Sequence, residues 1–317
     1  MVRTLEGRGP YRTLLRILAV AVLYYVGGRL GLLQQVVLDG AVVTPLWPPT
    51  GIALVCLLRF GAGIWPGIAL GTYLAIERIS TFQAADLIIV AGNVLAPLCA
   101  YALLRRVGFR PQLDRLRDGL ALVFLGGPAP MLISATTGAL TLLLTGNLTG
   151  ARFWPAWGAW WAGDTMGVLL VAPLLLALRR PRLPVDPYRA AEAVALLVTA
   201  GAVTVVTTHS SLSLLFLVFP LLIWAAVRFQ SAGSAPCALL VSVLAISAAT
   251  DRDGPFARHT LFEVMINLQA LNGAAALTGL LLSAMVTEQN HIRQRIEQVC
   301  EDLAEVVARL SPDGRGR

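Results

Sequence analysis

The residues able to do chemistry are few, and the most pointed of them is a carboxylate. Asp164 stands in "FWPAWGAWWAGDTMGVLLVAP", Phe153 to Pro173, about ten residues into an otherwise apolar run. An ionisable group at such a depth in a membrane is costly, and by default it marks a functional site. Trp154, Trp157, Trp160 and Trp161 gather at the start of the run, as an interfacial aromatic belt does. Gly158, Gly163 and Gly167 admit a neighbouring helix at short range. Asp164 is expected either to pair with Arg29 or to sit protonated and hydrogen-bonded to Asn93 or Thr50. The plainer reading is a neutral aspartate that ties helices together. The other reactive types form no recognisable site. His209, His259 and His291 have no intramembrane Cys, Ser or paired carboxylate in a catalytic pattern. Cys56, Cys99, Cys237 and Cys300 lack disulfide or metal spacing. No phosphate-cradling glycine loop occurs. We therefore assign no catalytic residue, no metal and no cofactor.

The second candidate is "TPLWPPTGIALVCLLRFGAGIWPG", Thr44 to Gly67, which is apolar yet carries four prolines. Pro48 and Pro49 cannot lie inside a helix, because proline lacks the N–H donor and clashes with the preceding turn. They fit the first turn of one. The spacing predicts a short helix starting near Trp47–Thr50 and ending near Leu58, with non-helical backbone just before it. Such backbone survives at membrane depth only where protein buries it or it lines a wet cavity. Broken helices of this kind build substrate sites in transporters. The alternative is an outer bend with Trp47 as an interfacial anchor. Trp47, Pro48, Pro49, Thr50, Gly51, Asn93, Trp161, Asp164 and Gly167 are the candidate ligand- or signal-sensing residues. Asp86 and Asn93 share a helix face, although Asp86 also suits a helix end. Asn267, Gln269 and Asn272 in "NLQALNG" are expected to hydrogen-bond between helices, or less readily to line a cavity.

Long apolar elements must position these residues. The 317-residue chain is 56% hydrophobic and 14% charged, well below the roughly 25% charge of a soluble domain. Apolar segments fall at about 12–33, 46–59, 63–77, 82–104, 119–145, 154–178, 190–208, 212–227, 233–250 and 260–286. The fold class is all-α: a polytopic transmembrane helical bundle of about 8–10 spans with a short cytoplasmic C-terminal coiled-coil helix. The segments at 46–77 are short enough to form either two spans or a re-entrant hairpin. All 25 basic residues are arginine, and the net charge is +7. Twenty of them fall in the termini and loops of one side and four on the other, with Arg29 inside the first span. That asymmetry sets topology and needs no nucleic-acid partner. It predicts that both termini are cytoplasmic. The N-terminus is basic and then apolar with no small-residue cleavage site soon after, so the first span is expected to stay uncleaved.

After Met285 the composition becomes polar. Ile292, Ile296, Val299, Leu303, Val306 and Leu310 step by four and three, a heptad seam. The reading is a membrane domain over 1–287, then a signalling helix and flexible tail over 288–317 that pairs as a parallel homodimer. The alternative is one amphipathic helix lying on the membrane.

Several motifs carry a family resemblance. "LWPPTGIALVCLL", "AGNVLAPLCAYALLRR", "ISATTGALTLLLTG", "WWAGDTMGVLLVAPLLLAL" and "LQALNGAAALTGLLLSAMVTEQ" together resemble the bacterial membrane-associated sensor domain of the first type, of the MASE family, over roughly residues 12 to 290. The resemblance implies a sensory input module, followed in such proteins by a kinase or cyclase output through a signalling helix. No phospho-acceptor box, ATP-lid pattern or GGDEF-type signature occurs within these residues. His291 lacks the acidic residue that follows a phospho-acceptor histidine and reads as a solvated helix residue. The expectation is either a sensor standing alone or a truncated input domain. The partners expected are the lipid bilayer, a second copy of the chain, an unknown small-molecule ligand and an unknown output protein. The competing class is a small-molecule transporter or permease. An intramembrane enzyme comes last.

Overall fold

Apolar runs bounded by Pro, Gly and Arg fold here as helices, because a chain in lipid must satisfy its own backbone groups. The computed structural model describes residues 10–38, 41–178, 186–210, 214–251 and 261–310. In chain order the helices are α1 (Pro10–Gly31), α2 (Pro48–Phe60), α3 (Trp65–Ile76), α4 (Asp86–Arg106), α5 (Leu116–Ala121), α6 (Pro128–Leu144), α7 (Phe153–Met166), α8 (Ala172–Leu178), α9 (Pro187–His209), α10 (Val218–Phe229), α11 (Ser231–Asp251) and α12 (Leu261–Leu310). A two-stranded antiparallel ribbon, β1 (Val36–Leu38) with β2 (Ala41–Val43), links α1 to α2.

All ten apolar segments of the sequence appear as helices. Among the described residues seven helical stretches are long and apolar enough to cross a membrane, and three are shorter: Pro48–Phe60, Ala62–Ile76 and Leu215–Phe229. The protein is a multi-pass membrane protein with an all-α architecture. Two of the long stretches are not uniform. Leu116–Leu144 joins α5 to α6 through a π-helical turn at Leu122–Gly126, and Gly150–Leu178 joins α7 to α8 through another at Gly167–Val171. Such turns often mark functional positions inside helices.

The α7–α8 stretch is the axis of the bundle, with 72% of its apolar window buried, against 33% for α1 and 22% for α9. The outer faces of α1 and α9 carry exposed Leu15, Leu18, Val22, Val198 and Val206, as lipid-facing helices should. One core joins α2, α4, the π-helical turn before α8, α11 and α12 through Leu54, Leu104, Leu170, Val168, Ile246 and Leu268. A smaller core, including Tyr24, Leu57 and Ile68, packs α1, α2 and α3 together.

The two short helices of the 46–77 region both pack along α1. Arg59, at the end of α2, lines the same cavity as Arg189 and Arg228, so α2 reaches the arginine-bearing end. α3 then runs beside α1: a Cβ on Gly67 would meet Ile17 and Val20, and one on Gly71 would meet Ala21 and Tyr24.

α12 is one unbroken helix of 50 residues. At about 1.5 Å per residue it measures roughly 75 Å, more than twice the roughly 30 Å hydrocarbon thickness. The Glu288 carboxylate accepts a 2.9 Å hydrogen bond from the Leu116 N–H at the start of α5. The point where α12 leaves the bundle is thereby fastened to the basic 105–117 loop.

Candidate functional site

The site begins with backbone against backbone. Thr44, Pro45 and Leu46 are buried and non-helical, and the Trp47 N–H donates a 3.0 Å hydrogen bond to the Gly163 carbonyl of α7. This approach requires glycine on α7. A Cβ on Gly163 would strike the Thr44 carbonyl oxygen, and one on Gly167 would strike the Trp47 carbonyl oxygen. With both side chains absent, the extended segment lies directly on the helix, and its amide is satisfied by a helix carbonyl. Pro48 and Pro49 then open α2 as its first two residues, where the missing N–H groups cost nothing.

That docking aims Thr50, in the first turn of α2, at Asp164. The Thr50 hydroxyl donates to Asp164 Oδ1 at 2.6 Å, and the Ser134 hydroxyl of α6 donates to Oδ2 at 2.5 Å. Asp164 is 1% exposed and Thr50 4%. Three separate elements thus meet at one carboxyl group in the bundle axis. Ser134 also lies 3.1 Å from the Met131 carbonyl, so its hydroxyl has a second acceptor.

The other sequence candidates divide. Gly51 packs on Gly167 and Val171 and belongs to the contact. Trp161 does not reach Asp164: its Nε1–H donates to the Pro128 carbonyl at 2.7 Å, pinning the start of α6, and its ring stacks on Trp157 at 6.3 Å. Asn93 is buried but is not bonded to Asp164: it donates to the Ile89 carbonyl at 3.0 Å and accepts from the Tyr24 hydroxyl at 3.5 Å. Arg29 is exposed on α1. Two of the three partners expected for Asp164 are therefore corrected, and Thr50 is the one in place. Asp86 is a helix-end residue, accepting from the Gln83 N–H at 2.8 Å.

Ser134 is the residue that sequence reasoning missed. Ser134, Thr137 and Thr141 recur at helical spacing on α6, and that polar stripe is the signal that could have found it.

The amides of α12 also divide. Gln269 Nε2 donates to the Pro45 carbonyl at 2.9 Å, joining α12 to the extended segment. Asn267 is exposed, and Asn272 is fully buried. Both amide atoms of Asn272, the Gln269 carbonyl and the Thr165 hydroxyl meet no hydrogen-bond partner among the described residues. Buried polar groups of this kind are normally satisfied. They lie on α12 and α7, which touch here: a Cβ on Gly273 would come within van der Waals range of Met166. The site therefore combines a hydrogen-bonded carboxyl group, an extended backbone segment and several unspent donors and acceptors. No group of His, Cys, Asp and Glu suited to a metal occurs among the described residues.

Beyond the bundle, Ile292, Ile296, Val299, Leu303 and Val306 are each more than half exposed along α12. The side chain of Leu310 lies outside the described residues. His291 is half-buried rather than solvated and lines a cavity at the exit of α12.

Comparison with known proteins agrees with this architecture. The MASE1 family profile matches residues 16–290, and the chain belongs to that family. Over 209 residues it is 30% identical to the probable diguanylate cyclase DgcE of Escherichia coli (strain K12), an alignment covering 60% of this chain and 17% of that protein. The chain thus spans only a small part of the length of that relative. No solved structure matches.

Proposed function

We propose that this MASE1 chain is a non-enzymatic sensory input module that reads a small ligand or a membrane state at the Asp164 site and passes it on through α12. A sensory role follows from the family; the route is our reading. Residues 1–287 act as the membrane sensor, and residues 288–317 as the signalling helix and tail. The seam from Ile292 to Leu310 pairs two copies, and the pair addresses a kinase- or cyclase-type output protein. The arginine distribution supports an inner-membrane protein with cytoplasmic termini.

The observation that carries this reading is the hydrogen bond from Gln269 to the Pro45 carbonyl. The helix that leaves the membrane is bonded to the segment that places Thr50 on Asp164. A ligand that engages the free groups of Asn272 and Thr165, or competes for Thr50, acts on α12 directly. It biases α12 only by binding one arrangement better than the other. The test is disulfide cross-linking between single cysteines placed in turn at 292, 296, 299 and 303, in a Cys300→Ser background. Asp164→Leu should change which positions cross-link most readily. An unchanged pattern in that variant counts against coupling.

A transporter is the alternative, favoured by the broken helix and its buried carboxyl group. Uptake of solutes into vesicles containing the protein would support it.

A further inference from the structure

A cavity of about 760 Å³ opens at the arginine-bearing end of the bundle, away from Asp164. Its rim carries Arg59 from α2, Arg189 from α9 and Arg228 from α10, with Asp114 as the carboxylate among them. Arg228 is partly committed, because its Nε stands 2.9 Å from both carboxylate oxygens of Glu192. Arg59 and Arg189 are exposed. The first turn of α11, Ser231 to Gly233, also forms part of the wall. The Gly233 N–H is bonded to the Gln230 carbonyl at 3.2 Å, so this turn contributes chiefly the positive end of the helix dipole, which favours negative charge. Deeper in, the wall is aliphatic, from Leu174, Leu176, Leu196 and Leu197. His291 and Thr287 of α12 close the remaining side.

Cationic side chains over an aliphatic wall, between helices of a membrane bundle, complement an anionic amphiphile. We propose that this cavity binds a phosphate-bearing anion, held at Arg59, Arg189 and the first turn of α11, and that the leucine wall makes an anionic phospholipid its occupant. A basic pocket between transmembrane helices is a general solution for an anionic lipid headgroup. The same phosphate chemistry also admits a free phosphate ester. Because α12 forms one side, the occupant touches the signalling helix just where it leaves the bundle. This site stands independently of the Asp164 reading.

The full chain is tested in nanodiscs of phosphatidylglycerol mixed with phosphatidylcholine, by native mass spectrometry of retained lipid and by thermal melts. Glycerol 1-phosphate added in phosphatidylcholine discs is the free-ester arm. Wild type should retain phosphatidylglycerol several-fold over its bulk fraction and melt higher in its presence. The double substitution Arg59→Gln/Arg189→Gln should abolish both effects. Arg105→Gln/Arg106→Gln removes the same charge from exposed residues outside the cavity and should leave both intact. Ala232→Glu puts a carboxylate on the cavity wall in the first turn of α11, where it favours the helix itself, so loss of binding there is not loss of fold. Asp164→Asn should retain binding, which separates this site from the sensing proposal. If glycerol 1-phosphate alone raises the melting temperature in a cavity-dependent way, the occupant is a free ester and the lipid assignment falls. If neither arm responds, or if the two arginine pairs behave alike, the site is overturned.

Discussion

Gln269 and Pro45 lie 224 positions apart in sequence and are joined by a 2.9 Å hydrogen bond. The donor belongs to the helix that leaves the membrane, and the acceptor to the non-helical stretch that precedes the Pro-Pro pair. Replacing Gln269 with Leu should cost about 1 kcal/mol, the usual net worth of one hydrogen bond. It should also speed hydrogen exchange at the Trp47 amide, which rests on Gly163. Asn267→Leu, at an exposed position of the same helix, should do neither.

Asp164→Ala should destabilise the protein by about 1–3 kcal/mol in detergent unfolding, chiefly because a buried hydroxyl is orphaned. Ser134 keeps the Met131 carbonyl as an acceptor, so Thr50 suffers most. Thr50→Val should therefore cost less in the Asp164→Ala background than in wild type, and a double-mutant cycle measures the difference.

Gly167→Ala should destabilise the protein, and Gly158→Ala should not. The first drives a methyl group into the Trp47 carbonyl, and overpacking of this kind costs about 1–3 kcal/mol. A Cβ on Gly158 meets nothing within 4 Å, so that change should be neutral or stabilise by up to about 1 kcal/mol. Thermal melts of the two variants decide it.

Ile296→Glu/Leu303→Glu should leave the membrane bundle folded and abolish self-association, read by light scattering of the purified protein. Both side chains are more than half exposed in the single chain, so the bundle has no stake in them. A variant that stays dimeric would locate the dimer contact elsewhere.

Much of this fold was legible because its signals are local. Apolar length gave the ten helical segments, the prolines gave the start of α2 at Pro48, and the heptad steps lie on a continuous α12. The π-helical turns after Ala121 and Met166 were not legible. The errors at the site concern which way a residue faces. Asn93 and Asp164 are both buried polar residues, yet Asn93 faces Tyr24. Arg29 is placed by the exposed face of α1. Which face a residue occupies relative to another helix is a property of packing, and a single span does not encode it.

The unbroken course of α12 has a geometric consequence for whatever is joined to it. In a straight helix each added residue turns everything downstream by about 100°, so the azimuth of the seam from Ile292 is fixed by residue count from Gln269. Inserting four residues after Met285 shifts that azimuth by about 40°, and inserting seven shifts it by about 20° the other way. An output domain spliced to this input should therefore keep its response only at junction lengths spaced by heptads, much as a key turns only at its own indexing.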